Sequence, residues 1–228
     1  MRRGIVGLAA LVGLGGLAGC SQLQKAVNVV HGTNGVHGSG NVVTKSVTVT
    51  GFHSLNLMGS GSVKITQGAT ESLTITADDN ILPLLISDVK DGELTLDIKH
   101  GKSINSSKPV QYDLTVKSLD QIHLNGSGQI NSSSLKGDSL KVDLTGSGDI
   151  SLAGSADAVT VELSGSGQFV GTDMKCKTAK VTIGGSGKAI LAPKDTLDID
   201  ISGSGSVEYF GTPKVTKNIT GSGTIEQH

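Results

Sequence analysis

The chain is 228 residues long, with 19 basic and 20 acidic side chains, a formal net charge of −1 and no Trp. Its two arginines, Arg2 and Arg3, stand at the extreme N-terminus, so later contacts with anions fall to lysine; arginine is the side chain shaped for two-point recognition of phosphate, and nucleic acid is not an expected partner. Phe52, Tyr112, Phe169, Tyr209 and Phe210 are the only aromatic residues, which disfavours a ring-stacking sugar site or an aromatic interface hot spot.

Residues 1–19 have the order of a secretory signal peptide: positive charge on Arg2 and Arg3, an apolar run from Ile5 to Leu17, then small residues. The run is too short to cross a bilayer as a helix. It closes on Leu17-Ala18-Gly19-Cys20, which resembles the lipobox of bacterial lipoproteins. That resemblance implies diacylglyceryl transfer to the Cys20 thiol, cleavage before it, and membrane attachment through acyl chains such as palmitate. Ser21 stands where an Asp commonly retains lipoproteins in the inner membrane, so it implies the outer membrane. Residues 20–40 are expected to form the lipidated cysteine and a polar, Gly-rich tether, with His31 and His37 as solvated linker residues. Cys176 is then the one thiol left, so no disulfide within the chain is expected, and it reads as a small core residue.

The dominant signal is repetition. Gly-Ser-Gly begins at 38, 59, 126, 146, 165, 185, 203 and 221, with spacings of 20, 19, 20, 18 and 18 from 126 onward. Apolar residues stand four and two places before the copies from 126 to 203, as in Val142/Leu144 and Ile199/Ile201, and again two places after each copy from 126 to 221, as in Ile150 and Val207. Period two into the glycines and out of them predicts strand, tight corner, strand. The corner glycines are Gly59 and Gly61, Gly126 and Gly128, Gly146 and Gly148, Gly165 and Gly167, Gly185 and Gly187, Gly203 and Gly205, and Gly221 and Gly223. Rungs of 18–20 residues, roughly 60 Å of strand each, suit one coil of a β-solenoid that buries its inner face by stacking. The expected fold is an all-β, parallel β-helix-like solenoid formed as one domain by residues 41–228.

Residues 62–125 are less regular. Strand-like stretches occur at Val63–Ile65, Leu73–Ile75, Leu94–Ile98 and Tyr112–Val116, Asp91-Gly92 predicts a hairpin turn, and Asp78 to Pro83 a short helical turn or loop. The 67-residue gap between the copies at 59 and 126 has the length of about three rungs.

The ordered set Phe52, Gly59-Ser60-Gly61, Val63-Lys64-Ile65-Thr66-Gln67-Gly68, Asp79-Asn80 and Asp91-Gly92-Glu93-Leu94, followed by Gly-Ser-Gly rungs, resembles the auto-transporter adhesin head (GIN) domain family over about residues 40 to 225. The resemblance implies a right-handed parallel β-helix-like fold on exported proteins, often lipoproteins. It brings no catalytic residues with it.

Patterns that imitate chemical motifs fail on their own residues. Gly101-Lys102-Ser103 ends like a phosphate-binding loop, but Leu96 stands where its first Gly is required. Gly184-Gly185-Ser186-Gly187 begins like a calcium-binding repeat, but Ala189 replaces the ligand Asp. The outward position three before each Gly-Ser-Gly reads His123, Asp143, Glu162, Thr182, Asp200, Asn218, with Asp198 beside Asp200. Stacking would set Asp143 and Glu162 about 4.8 Å apart. Such a pair could share a proton or bind Ca²⁺, whereas the competing reading is a solvated face with Lys141 and Lys180 nearby. No catalytic residue, cofactor or metal is expected.

Three functional readings stay open at this point. The leading one is a non-enzymatic envelope lipoprotein presenting a rigid solenoid to a protein or glycan surface, as in adhesion. The second is a periplasmic structural or assembly protein, with homo-oligomers formed through the terminal rung at Lys217 to Glu226 unless Lys217, Asn218 and Glu226 protect that edge. The third is a β-helix enzyme acting on glycan.

Overall fold

The computed structural model describes residues 35–228. The signal peptide, the lipobox residues, Cys20, His31 and most of the expected tether lie outside them. Strands follow in the order β1 (Gly35–His37), β2 (Val42–Val47), β3 (Ser54–Gly59), β4 (Ser62–Gln67), β5 (Ser72–Asp78), β6 (Leu85–Lys90), β7 (Glu93–Ile98), β8 (Ser103–Asn105) and β9 (Gln111–Val116). The regular part continues as β10 (Gln121–Gly126), β11 (Gln129–Gly146), β12 (Asp149–Gly165), β13 (Gln168–Ile183), β14 (Lys188–Gly203), β15 (Ser206–Tyr209), β16 (Lys214–Gly221) and β17 (Thr224–Gln227). There is no α-helix among the described residues, only a 3-10 turn at Leu82–Leu84 between β5 and β6.

The strands coil into a β-solenoid of about 5 turns. Each rung pairs in parallel with the next, so equivalent residues stand directly above one another: Ile122 against Val142, Val142 against Val161, Val161 against Val181, Val181 against Ile199. Alternation then sends each such column into a shared interior, and all five of these side chains are at most 3% exposed. A parallel column runs Leu124, Leu144, Leu163, Ile183, Ile201, and beyond the corner a third runs Ile130, Ile150, Phe169, Ala189, Val207. In that third column the bulky Phe169 faces Ala189, and a Cβ on Gly171 would meet its ring, so volume is balanced between neighbouring rungs.

The segment between the copies at 59 and 126 is not three rungs in succession. Gly126 pairs directly with Gly59 and β10 lies on β3, so the chain leaves the stack after β4 and returns one rung up. Within the excursion, β7 and β9 dock in parallel on the other edges of β3 and β4, placing one rung beneath a rung that precedes it in sequence. The rest closes the end of the stack with antiparallel pairs: β6 on β7, and β5 between β2 and β9. The β6–β7 hairpin turns at Asp91 and Gly92, both at positive φ (51° and 81°), as the sequence predicts for that pair.

Strand structure begins at Gly35, ahead of the expected domain start at residue 41. β1 pairs with β8, and the first Gly-Ser-Gly, at 38–40, forms no corner in the stack; it wraps the Asp78 carboxylate. The pattern looks like the later copies because small residues suit a close backbone approach to a carboxylate as well as to another rung.

Candidate functional site

At each corner a glycine carbonyl accepts a hydrogen bond from the serine N–H of the following rung. Ser147 donates to Gly126 at 2.9 Å, Ser166 to Gly146 at 2.8 Å, Ser186 to Gly165 at 2.8 Å, Ser204 to Gly185 at 2.9 Å and Ser222 to Gly203 at 2.9 Å. The ladder of backbone bonds therefore turns the corner without a break. The cost is space: a Cβ on Gly126, Gly146, Gly165, Gly185, Gly203 or Gly221 would fall on the glycine carbonyl below it. Gly128, Gly148, Gly167, Gly187, Gly205 and Gly223 are hemmed in by the apolar column and the backbone of the preceding corner. Gly59 differs, because it begins the series and a Cβ there would meet nothing within 4 Å; its φ of +97° is the requirement. Gly61 sits against the Tyr112 ring of the rung beneath.

The outward ladder before the corner is in register as expected, with His123 beside Asp143 and Asp143 beside Glu162. Its carboxylates find basic partners within the ladder itself. His123 Nδ1 lies 3.0 Å from Asp143 Oδ2, and Lys141 Nζ lies 3.1 Å from Asp143 Oδ1 and 3.5 Å from Glu162 Oε1. The Lys141–Asp143 contact is an ion pair without hydrogen-bond alignment. Its carboxylate neighbours, Asp143 foremost, raise the Lys141 pKa above the ordinary lysine value. Asp200 stands two rungs beyond Glu162, between Thr182 and Asn218, and is not brought to the pair.

On the third side of the coil Cys176 stands in a column with Gly137, Ala156 and Pro193 and is 7% exposed; burial pushes its thiol up to about 11. The open groove there, about 380 Å³, is lined also by Lys175, Lys177 and Lys194, with Lys177 Nζ 2.9 Å from Asp157 Oδ1.

Two arrangements escape the sequence reading. Asp78, fully buried, accepts hydrogen bonds from the Gly40 N–H at 2.9 Å, the Ser107 N–H at 2.9 Å and the Ser107 hydroxyl at 2.5 Å. These bonds, Ser107's first, hold its pKa below the usual carboxylate value. Asp79 accepts from Ser39 Oγ and Asn41 Nδ2, and Asn80 grips the Ser39 N–H and the His37 carbonyl. The triplet thus latches the entering chain to the body, across separations that sequence spacing does not reveal. At the other end Glu208, Glu226 and His228 come together with ligand atoms within 4.8 Å, but Glu208 is already held by Lys188 at 2.6 Å and His228 is stacked on Phe210.

Residues 51–213 match the model of the family described as "Putative auto-transporter adhesin, head GIN domain". The chain belongs to this family. No curated protein matches this GIN-domain chain, but solved structures do. A crystal structure described as a putative adhesin from Bacteroides fragilis NCTC 9343 superposes with a TM-score of 0.71 at 24% identity, covering 85% of this chain and 100% of that one. A protein from Parabacteroides distasonis ATCC 8503, described as a putative lipid binding protein, gives 0.56 at 22% identity over 85% and 99% of the two chains. A putative adhesin from Parabacteroides merdae ATCC 43184 gives 0.54 at 23% identity over 86% and 100%. At these identities the GIN-domain fold is what the likeness carries, and adhesin is the description that recurs with it.

Proposed function

We propose that this protein is a non-enzymatic, adhesin-like envelope lipoprotein, exported by its signal peptide, anchored through a lipid on Cys20 at the outer membrane, and presenting the solenoid to a protein or glycan surface. The observation that carries the non-enzymatic part is the ladder on the outer face. Asp143 and Glu162, the best-placed carboxylate pair, are engaged by His123 and Lys141 instead of converging on a space where a substrate bond could lie. Laterally paired side chains on a backbone ladder that does not break at its corners make a stiff, polar surface suited to many weak contacts. The family described as adhesin heads supports the same reading.

The anchor sets a geometric limit. The folded body begins at Gly35, so even a fully extended chain from Cys20 holds it no more than roughly 50 Å from the lipid. Protease shaving of intact cells tests the proposal. The wild-type domain is expected to be cleaved from outside and to carry a lipid label that Cys20→Ala removes. Protection until the envelope is opened would overturn surface presentation in favour of a periplasmic structural role, and labelling that persists in Cys20→Ala would overturn the anchor.

A further inference from the structure

The two ends of the solenoid are finished differently. At the β2/β6 end, hairpin strands cover the interior, and Val49, Phe52, Ala77 and Ile81 are all buried there. At the other end β16 and β17 are, among the described residues, each paired on one side only. Unpaired backbone groups along a sheet edge recruit further strands, and apolar surface strengthens the attraction. This end has that surface: Ile219 is 40% and Phe210 41% exposed, and Val215 and Ile225 are half-buried.

On this rung, however, two of the inward columns end on long polar side chains. The column Leu55, Ile122, Val142, Val161, Val181, Ile199 meets Lys217 as its last member. The column that holds Leu191 and Tyr209 ends on Gln227, whose amide is tied down by the Tyr209 hydroxyl at 3.2 Å and the Gly211 carbonyl at 2.8 Å. Lys217 is exposed, and its register places its aliphatic stem over Ile199 at the mouth of the interior. Any strand pair laid coaxially on this rung, from a second copy in either orientation, would seal that mouth and take the ammonium out of water with no carboxylate in the columns around it. An unpaired buried charge is among the most costly groups a protein can hold.

We infer that Lys217, assisted by Gln227, is a stop residue: it closes the core with its stem and forbids end-to-end pairing of solenoids with its charge. The open rung is therefore an edge held in the monomeric state by one side chain.

The test uses the unit Asn34–His228, which contains every residue of the described core. Lys217→Met keeps the length of the stem and removes the charge, and sedimentation reads the mass. Wild type and Lys217→Arg are expected to be monomers. Lys217→Met is expected to self-associate about a hundredfold more tightly or better, since a pair of copies loses two buried charges, and hydrogen exchange should slow across β16 and β17. Lys217→Ile, which continues the column, gives the same readout should the methionine variant pack poorly. Adding Ile219→Lys should return either variant to the monomer. A wild type that already pairs through this rung would overturn the inference, as would folded Lys217→Met and Lys217→Ile proteins that both stay monomeric.

Discussion

The stack from Gln121 to Gln227 and the cap from Gly35 to Val116 are built from the same kind of short strand, yet they hold together differently. In the stack each rung lies on the one just before it in sequence, so one pattern of apolar columns and glycine corners, repeated, supplies the contacts. In the cap the order is broken: β7 and β9 lie beneath β3 and β4, and the chain entry is fixed by Asp78, which reaches Gly40 across 38 residues and Ser107 across 29. Repetition makes a sheet that could grow indefinitely. Ending it takes residues that do not repeat.

The comparison breaks most sharply at the corners. Gly146→Ala would set a methyl group on the Gly126 carbonyl at a φ of +123°, and should cost about 3 kcal/mol or more, read as the shift in denaturant midpoint. Gly59→Ala has open space and only the positive φ to pay, so about 1 kcal/mol is expected. Equal losses at the two sites would show that rung contact is not what the repeated glycine serves.

Acid should separate the regions next. Asp78, Asp79 and Glu71 all have lowered pKa values, from Ser107, from Ser39 and Asn41, and from the Gly51 N–H respectively. Their contribution is complete above the unfolded carboxylate values of about 3.9 to 4.3 and disappears as pH falls through the lower folded values. Below about pH 4, hydrogen exchange should therefore quicken in β1, β2 and β8 before it does in β11 to β14. Asp78→Asn should produce the same local loosening at neutral pH.

Smaller effects are expected on the faces of the stack. Lys141→Met removes the ion pairs to Asp143 and Glu162; Lys141 is 42% exposed, so a loss of about 0.5 kcal/mol, shrinking in high salt, is expected from thermal unfolding. Because its pKa is raised, that contribution is present at neutral pH and fades only as pH climbs through the raised value. Cys176, with its thiol at about 11, should resist a thiol reagent at pH 8 until the protein is unfolded.

Much of the stack can be read in the chain because its physical cause is local. A corner that tolerates no Cβ must be glycine, and a strand with one dry face must alternate, so both appear as spacing in the sequence. The Asp143–Glu162 register follows from the same spacing. Its pairing with Lys141 needed more, because only the tertiary structure shows whether Lys141 leans along the ladder or into solvent.

What the sequence by itself determined is the all-β class, the 18–20-residue rung, the glycine corners and the inward columns, each a consequence of contacts repeated at a constant interval. What only the tertiary structure decided is where the repetition stops. The reversed order of β3 and β7 and the Asp78 latch on Gly40 and Ser107 each depend on contacts made once, between distant segments, and such contacts leave no period to read.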